Sequence, residues 1–404
     1  MKILQLCKKF PYPLKDGESI AVTTLSRALR ELGCQVSLLA MNTHKHFFNS
    51  NGCPEALSHY KDIFKVPVDN RVKPTEAFLN LFSRESYHIA RFISPAFQRQ
   101  LIEVLKNNTY DLIQLETPYL SPYIPTIRKY SDALIAMRAH NVEHEIWERI
   151  AENTAFFPKR WYLKHLARKL CRYEVEQLKQ YDILVAITQR DLDFFRKLGY
   201  RKAAVVAPIG VRSEAYQPDY DSYRRPLSLS FIGSLDWMPN QEGLQWFINQ
   251  VWTSLEKKYP NLELHIAGRN TPEDLKHKLA GKNVFVHGEV PDAHQFINNH
   301  SLMVVPLLSG SGMRAKILEG MALGRVVLTT SVGLEGIAAR PGREVLVADA
   351  PEQFVSHIES CLLQGPQLER MGRQACHFVA SQYDSLSIAR RLLDSYMALT
   401  VEVA

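Results

Sequence analysis

The sequence predicts an α/β protein made of two Rossmann-like, doubly wound parallel-sheet domains joined by one linker. Three observations predict it. Residues 2–40 run as apolar strand, loop with Pro and Gly, helix, glycine and second apolar strand, which is the opening unit of such a sheet. The pattern restarts at Leu227 after a polar, aromatic stretch poor in aliphatic residues. The strand candidates are short continuous apolar runs rather than alternating ones, as expected of strands buried on both faces.

Length and composition agree with this class. The chain has 404 residues, 46% hydrophobic and 23% charged, enough for two ordinary globular domains. A formal charge of +7 suits anionic substrates or an anionic membrane surface, and no basic recognition helix or finger spacing marks a nucleic-acid reader. Cys7, Cys34, Cys53, Cys171, Cys361 and Cys376 form no Cys-x-x-Cys pair, so reduced thiols and a cytoplasmic location are expected. The apolar run Ile3 to Leu6 is too short for a signal peptide, and no run approaches the ~20 residues of a spanning helix.

Taken in order, Lys2 to Cys7 reads as a strand, followed by a loop through Asp16-Gly17-Glu18-Ser19. Leu25, Ala28, Leu29 and Leu32 then recur at helical spacing, Gly33 ends the helix, and Val36 to Ala40 form the next strand. Gly17 becomes a candidate ligand-facing position, because ligands of these sheets sit beyond the carboxyl ends of the strands. Residues 78–107 read as helical. Asp111 to Leu115 is a strand delivering Glu116, and Ala133 to Met137 one delivering Arg138, His140 and Asn141 before a helix carrying Val142, Ile146, Trp147 and Ile150. Phe156 to Tyr173 interleaves Lys159, Arg160, Lys164, Arg168, Lys169 and Arg172 with aromatics, as a basic amphipathic helix does; the commoner arrangement packs its aromatic stripe on its own domain. Asp182 to Ile187 and Ala204 to Ala207 are strands, and Pro208 to Pro226 is the linker. Beyond it come strands at 227–232, 262–267, 284–287, 302–305, 326–329 and 345–347, helices at 243–255 and 292–298, and a terminal helix at 386–399. The expected domains are 1–210 and 211–383, with 384–404 as a final helix.

The stretch from Ser309 to Gly324 reads as a diphosphate cradle. Leu302 to Val305 is a buried strand closed by Pro306, and Gly310 and Gly312 permit close backbone approach. A helix start follows, whose free N–H groups and dipole favour an anion, with Arg314 and Lys316 in its first turn and Glu319 one turn on, within reach of a sugar hydroxyl. Two first-turn cations oppose the dipole and make sense when an anion binds. If they stand in solvent, removing either leaves folding stability nearly unchanged.

Two stretches fit metal-binding patterns. His140-Asn-Val-Glu143-His144 matches H-x-x-E-H, which needs both histidines on one helical face, whereas His140 falls before the helix. Asp191-Leu-Asp193 falls at a helix start after Thr188, where acidic residues cap. No metal site is expected.

These motifs carry a resemblance. Phe231-Ile-Gly-Ser-Leu-Asp-Trp-Met-Pro-Asn240, Gly310-Ser-Gly-Met-Arg-Ala-Lys-Ile-Leu-Glu319-Gly-Met-Ala-Leu-Gly324, Gly333-Leu-Glu-Gly336 and the Arg138 to Glu143 segment resemble the retaining glycosyltransferases of family 4. The resemblance spans essentially the full chain and is most specific over 231–347. It implies the GT-B architecture, two Rossmann-like domains facing across a cleft with the last helix crossing back to the first. It further implies metal-independent transfer, with retention, from a nucleotide-diphosphate sugar to a saccharide or lipid-linked acceptor in cell-surface glycan synthesis, with no cofactor, on the cytoplasmic side of the membrane.

The matching positions are His140, Arg314 and Lys316 for catalysis, Gly17, Gly233, Gly310, Ser311, Gly312, Met313 and Glu319 for the donor, and Glu116 and Asn141 on the acceptor side. The sequence departs from the family where Ser311 replaces the first of two glutamates, where Glu18 replaces a second loop glycine, and where Ile209 replaces an asparagine. Two other readings compete. Gly310-x-Gly312-x-x-Ala315 fits the dinucleotide fingerprint of an oxidoreductase, although that motif belongs after the first strand of its domain. A non-catalytic nucleotide-sugar-binding partner would share every motif and differ only in turnover.

Overall fold

Among the described residues the twelve expected strands form and a thirteenth joins them, in two all-parallel sheets. A computed structural model describes every residue except 15, 45, 46, 50–53, 280, 311, 364 and 404, with side chains as far as residue 400. The first sheet holds β1 (Lys2–Cys7), β2 (Gln35–Thr43), β3 (Ile63–Val68), β4 (Leu112–Leu115), β5 (Leu134–Ala139), β6 (Ile183–Ala186) and β7 (Ala203–Val206) in the order 3-2-1-4-5-6-7. The second holds β8 (Ser228–Ile232), β9 (Glu263–Ala267), β10 (Val284–Gly288), β11 (Leu302–Val305), β12 (Val326–Thr329) and β13 (Leu346–Val347) in the order 10-9-8-11-12-13. Strand order reverses between β1 and β4 in one sheet and between β8 and β11 in the other. Those are the switch points outside which doubly wound sheets bind ligands.

The helices of the first half are α1 (Gly17–Glu31), α2 (Pro74–Asn80), α3 (Tyr87–Ala90), α4 (Pro95–Asn107), α5 (Ile124–Tyr130), α6 (Glu143–Glu152), α7 (Phe157–Gln177) and α8 (Gln189–Lys197). The second half adds α9 (Met238–Phe247), α10 (Thr253–Lys258), α11 (Glu273–Leu279), α12 (Ala293–Asn298), α13 (Ala315–Ala322), α14 (Ser331–Leu334), α15 (Pro351–Leu363) and α16 (Gly365–Gln382), and the last helix is α17 (Ser385–Val403).

The chain divides into two compact units, Met1–Gly210 with Ser385–Ala404, and Val211–Asp384. The last helix therefore belongs to the first unit. Its Ile388, Leu392 and Tyr396 join Val22, Leu25 and Leu29 of α1 in the core on one face of the first sheet, while Phe97, Leu101, Leu120 and Ile127 fill the other face. In the second unit Phe231, Leu244, Phe247, Trp252, Leu264 and Phe354 anchor the core.

Three local expectations change and one unread strand is added. The helical stretch at 78–107 is three helices, with Pro95 opening the longest. Strand β3 contains Pro67, which reads against a central strand but is tolerated here because β3 lies at the sheet edge. The helix expected at 243–255 starts at Met238 and is interrupted by a π turn at Ile248–Trp252. The expected linker is packed from Val211 onward. Tyr223 donates to Gly324 O at 2.8 Å and accepts from Val326 N at 3.0 Å, and the buried Arg325 guanidinium lies 4.7 Å from its ring centre.

Among the described residues no helix is long and apolar enough to cross a membrane. Cys7, Cys34, Cys171, Cys361 and Cys376 are free thiols, and Cys53 lies outside the described residues.

Candidate functional site

The first unit's polar residues collect where β1, β4 and β5 end. Gln5 and Gln114 are the polar members of otherwise apolar strands, and both donate from Nε2 to Glu116 Oε1 at 2.5 Å. Arg138 Nη1 reaches Glu116 Oε2 at 3.2 Å, and His140 Nε2 lies 2.8 Å from the same oxygen. Tyr60 and Tyr396 hold the two glutamines from behind, each hydroxyl donating at 2.7 Å to Gln5 Oε1 or Gln114 Oε1. Burial would raise the Glu116 carboxyl, but Arg138 and the His140 hydrogen bond outweigh it and hold its pKa at about 2. The carboxylate has no exposure and four donors, so it orients His140 and neutralises Arg138 rather than meeting solvent.

Beside this network a second group of charges lines the start of α1. Asp16 caps the helix, accepting from Ser19 N at 3.0 Å and from Lys9 Nζ at 2.7 Å. Its pKa is lowered to about 2, because Lys9 and the cap bonds overcome burial. The loop therefore ends at Asp16, earlier than read, and Gly17 is an exposed first residue of α1. Lys8 sits 3.6 Å from Glu18 and 3.9 Å from Glu143 and lies over the Tyr119 ring. Asn141 is half-buried directly after His140.

The H-x-x-E-H residues part company. His140 precedes α6 and bonds Glu116, while His144, in its first turn, bonds Glu174 Oε2 at 2.6 Å. Asp191 donates its N–H to the Thr188 cap at 3.0 Å, and Asp193 accepts from Gln189. Among the described residues no three His, Cys, Asp or Glu side chains are grouped to hold a metal ion.

The second unit builds its site from the loops after β8 and β11. Gly310 and Gly312 take φ of 114° and 76°, left-handed conformations that a glycine adopts without strain. Ser311 lies outside the described residues. Arg314 is the N-cap of α13 rather than a first-turn residue, and Lys316 is the second residue of the helix.

Neither cation stands free in solvent, which corrects the sequence expectation. Arg314 is 5% exposed; its Nη1 donates to Gly312 O at 2.5 Å, and the guanidinium lies 6.0 Å from the Trp237 ring. Lys316 Nζ lies 4.4 Å over the Phe231 ring and donates to Asn240 Oδ1 at 2.8 Å. The physical reason is room made at Gly233, where a Cβ would come 2.6 Å from Lys316 Nζ. Burial, with Arg314 next to it, lowers the Lys316 pKa to about 7.

Glu319 accepts from Tyr216 at 3.5 Å; burial raises its carboxyl against the opposing effects of that bond and of the Lys316 charge. Met313 is buried beneath the turn at 8% exposure. The Gly310-x-Gly312-x-x-Ala315 turn follows β11, the fourth strand of its unit, which is not the dinucleotide position.

Sequence reasoning passed over Gln5, Gln114, Lys8, Lys9 and Asn240. The available signal was a glutamine in the middle of a buried apolar strand, which needs a partner. A cavity of about 290 Å³ lined by Lys2, Gln35, Lys61 and Tyr110 lies at the amino ends of β1 and β2, the edge opposite to these side chains.

Two parallel-sheet Rossmann-like units, with the last helix in the first, define the GT-B fold of glycosyltransferases. Residues 226–364 match the family model described as glycosyl transferases group 1. The structure is similar to sucrose-phosphate synthase of Thermosynechococcus elongatus, with TM-score 0.75 at 14% identity over 100% of both chains. It is also similar to HepE of Anabaena, solved with UDP and with UDP-glucose; the UDP complex gives TM-score 0.70 at 14% identity over 98% of this chain and 100% of that one. An uncharacterized 44.6 kDa protein in the cps region of Klebsiella pneumoniae is 24% identical over 308 residues, 72% of this chain and 75% of its own.

Proposed function

We propose that this chain is a metal-independent, retaining glycosyltransferase that moves a sugar from a nucleotide-diphosphate sugar to a saccharide or lipid-linked acceptor during cell-surface polysaccharide synthesis. The observation that carries the reading is Lys316. A lysine folded into a half-buried position, with Asn240 as its hydrogen-bond acceptor and the Arg314 guanidinium beside it, is set to receive an anion. A nucleotide diphosphate leaving from an oxocarbenium-like sugar is such an anion. Arg314 and Lys316 hold the diphosphate against Gly310 to Met313 and the loop at Gly233, and Glu319 takes the ribose.

From the first unit, Gly17 and His140 serve the transferred sugar, and Glu116 and Asn141 the acceptor side. Glu116, saturated with donors, works through His140 and is not a nucleophile. HepE's complexes with UDP and UDP-glucose and the cps-region relative support the donor class and the polysaccharide setting.

The reading is tested with a panel of nucleotide-sugars scored by thermal shift, then by nucleotide release in the presence of saccharide or lipid-linked acceptors. Binding with turnover that persists in excess chelator is expected. Binding without turnover on any acceptor would favour a non-catalytic partner, and activity restored to chelated enzyme only by manganese or magnesium would overturn metal independence.

A further inference from the structure

Six large apolar side chains stand in solvent, three on and just after α2 and three around the start of α7. Phe78, Leu79 and Phe82 are 61%, 68% and 81% exposed, and Phe156, Phe157 and Trp161 are 67%, 75% and 56% exposed. The expectation that the aromatic stripe of 156–173 packs on its own domain does not hold for these three residues. The stripe that α7 buries is Leu163, Leu166, Ala167 and Leu170.

The two groups adjoin. Lys169 Nζ donates from α7 to the carbonyl of Asn80, the last residue of α2, at 2.5 Å. Trp161 and His165 precede Lys169 at successive four-residue steps on one side of α7, their rings stacked at 5.7 Å. Phe78 on α2 and Phe82 just after it meet edge to face at 5.8 Å. Exposed apolar clusters of this kind on a monomer mark interaction surfaces.

Charge selects the occupant. Residues 156–173 contain Lys159, Arg160, Lys164, Arg168, Lys169 and Arg172 and no acidic residue, while around α2 Lys73 and Arg84 are balanced by Glu76 and Glu85, so the positive charge of the face comes from α7. A second copy of the chain would bring like charge to the same face, which opposes self-association. A layer of anionic headgroups over an acyl interior matches both features, cations at phosphate depth and aromatics below. We propose that the α2 and α7 face docks reversibly on anionic phospholipid, Phe82, Phe157 and Trp161 entering the interface and Lys159, Arg160 and Lys164 pairing with headgroup phosphates. The proposal does not depend on the reaction assigned above.

The full-length protein is sedimented with vesicles of mixed phosphatidylglycerol and phosphatidylcholine, and with phosphatidylcholine alone, at low and high salt. Binding to the mixed vesicles only, weakened by salt, is expected, with a blue shift in tryptophan emission that Trp161→Phe removes. The triple variant Lys159→Gln, Arg160→Gln, Lys164→Gln should weaken binding about 100-fold. The pair Phe82→Ser, Phe157→Ser should also weaken it, both sets keeping the wild-type melting temperature. Wild-type protein that ignores the mixed vesicles at low salt, or binds both kinds equally, overturns the proposal and makes a soluble saccharide the better acceptor. A dimer in light scattering that the Phe82, Phe157 pair abolishes would instead assign the face to a second copy.

Discussion

Lys316 and Glu116 are the side chains on which the proposed chemistry turns; the surroundings of the first resist its charge, and those of the second favour it. For Lys316 the folded pKa of about 7 lies below the ordinary lysine value. Between those two values the unfolded chain binds more protons, so this residue makes stability rise with pH, and its cost is full below pH 7. Lys316→Met, which keeps the stem and removes the charge, should abolish that rise in melting temperature between neutral and alkaline pH without lowering stability at pH 7, while transfer falls about 100-fold or more. Affinity for whichever nucleotide diphosphate the panel identifies should weaken in the wild type as pH climbs above 7, because the bound anion favours the protonated amine. A flat affinity profile would remove Lys316 from the diphosphate. Arg314→Ala behaves differently. Its buried guanidinium holds the Gly312 carbonyl, so a loss of about 1–3 kcal/mol should accompany at least tenfold slower transfer, measured by denaturant titration and by turnover.

Glu116 has the opposite sign. Its pKa is depressed to about 2 in the fold, so its contribution is complete above the ordinary glutamate range and is lost as pH falls toward 2. Glu116→Leu leaves Arg138 buried at 1% exposure without its carboxylate and should cost about 3–5 kcal/mol. Thermal unfolding at pH 7 checks this. A cost under 1 kcal/mol would mean that Arg138 finds another partner.

Among the elements, α9 and β11 set the cradle's position through a glycine with no helical or turn requirement. A Cβ on Gly243 would lie 2.1 Å from Pro306 O, at the residue that closes β11 before the glycine turn. Gly243→Ala should therefore push α9 off β11 and cost about 1–3 kcal/mol despite alanine's better helix propensity. A stabilised variant in denaturant titration would refute this packing. The same logic reads the loop after β8, where Gly233 is small so that Lys316 can lie over Phe231.

For the whole molecule, α17 ties the end of the chain into the first unit's core and into the site. Tyr396 is fully buried and donates to Gln114, which in turn holds Glu116. Tyr396→Phe should lower stability by about 1 kcal/mol and change the His140-dependent step in transfer. A chain ending at Asp384 should lose the first unit's cooperative unfolding while the second unit's transition survives, as calorimetry would resolve. A single unchanged transition in the shortened chain would deny α17 this role.

The sequence by itself determined the two parallel α/β patterns, the strands flanking both switch points, the placing of Glu116 and His140 just after strand ends, and the glycine turn between β11 and α13, because continuous apolar runs and glycine turns are local signals. It missed β3, whose Pro67 is acceptable only at an edge, and edge position is a property of the assembled sheet. The charge states were beyond it as well. Whether a lysine near a helix start stands in solvent or lies on Phe231 depends on Gly233, more than 80 residues earlier, and whether Phe157 and Trp161 pack or project depends on which face of α7 meets the sheet. Burial and pairing of this kind arise from residues distant in the chain, and only the tertiary structure brings them together.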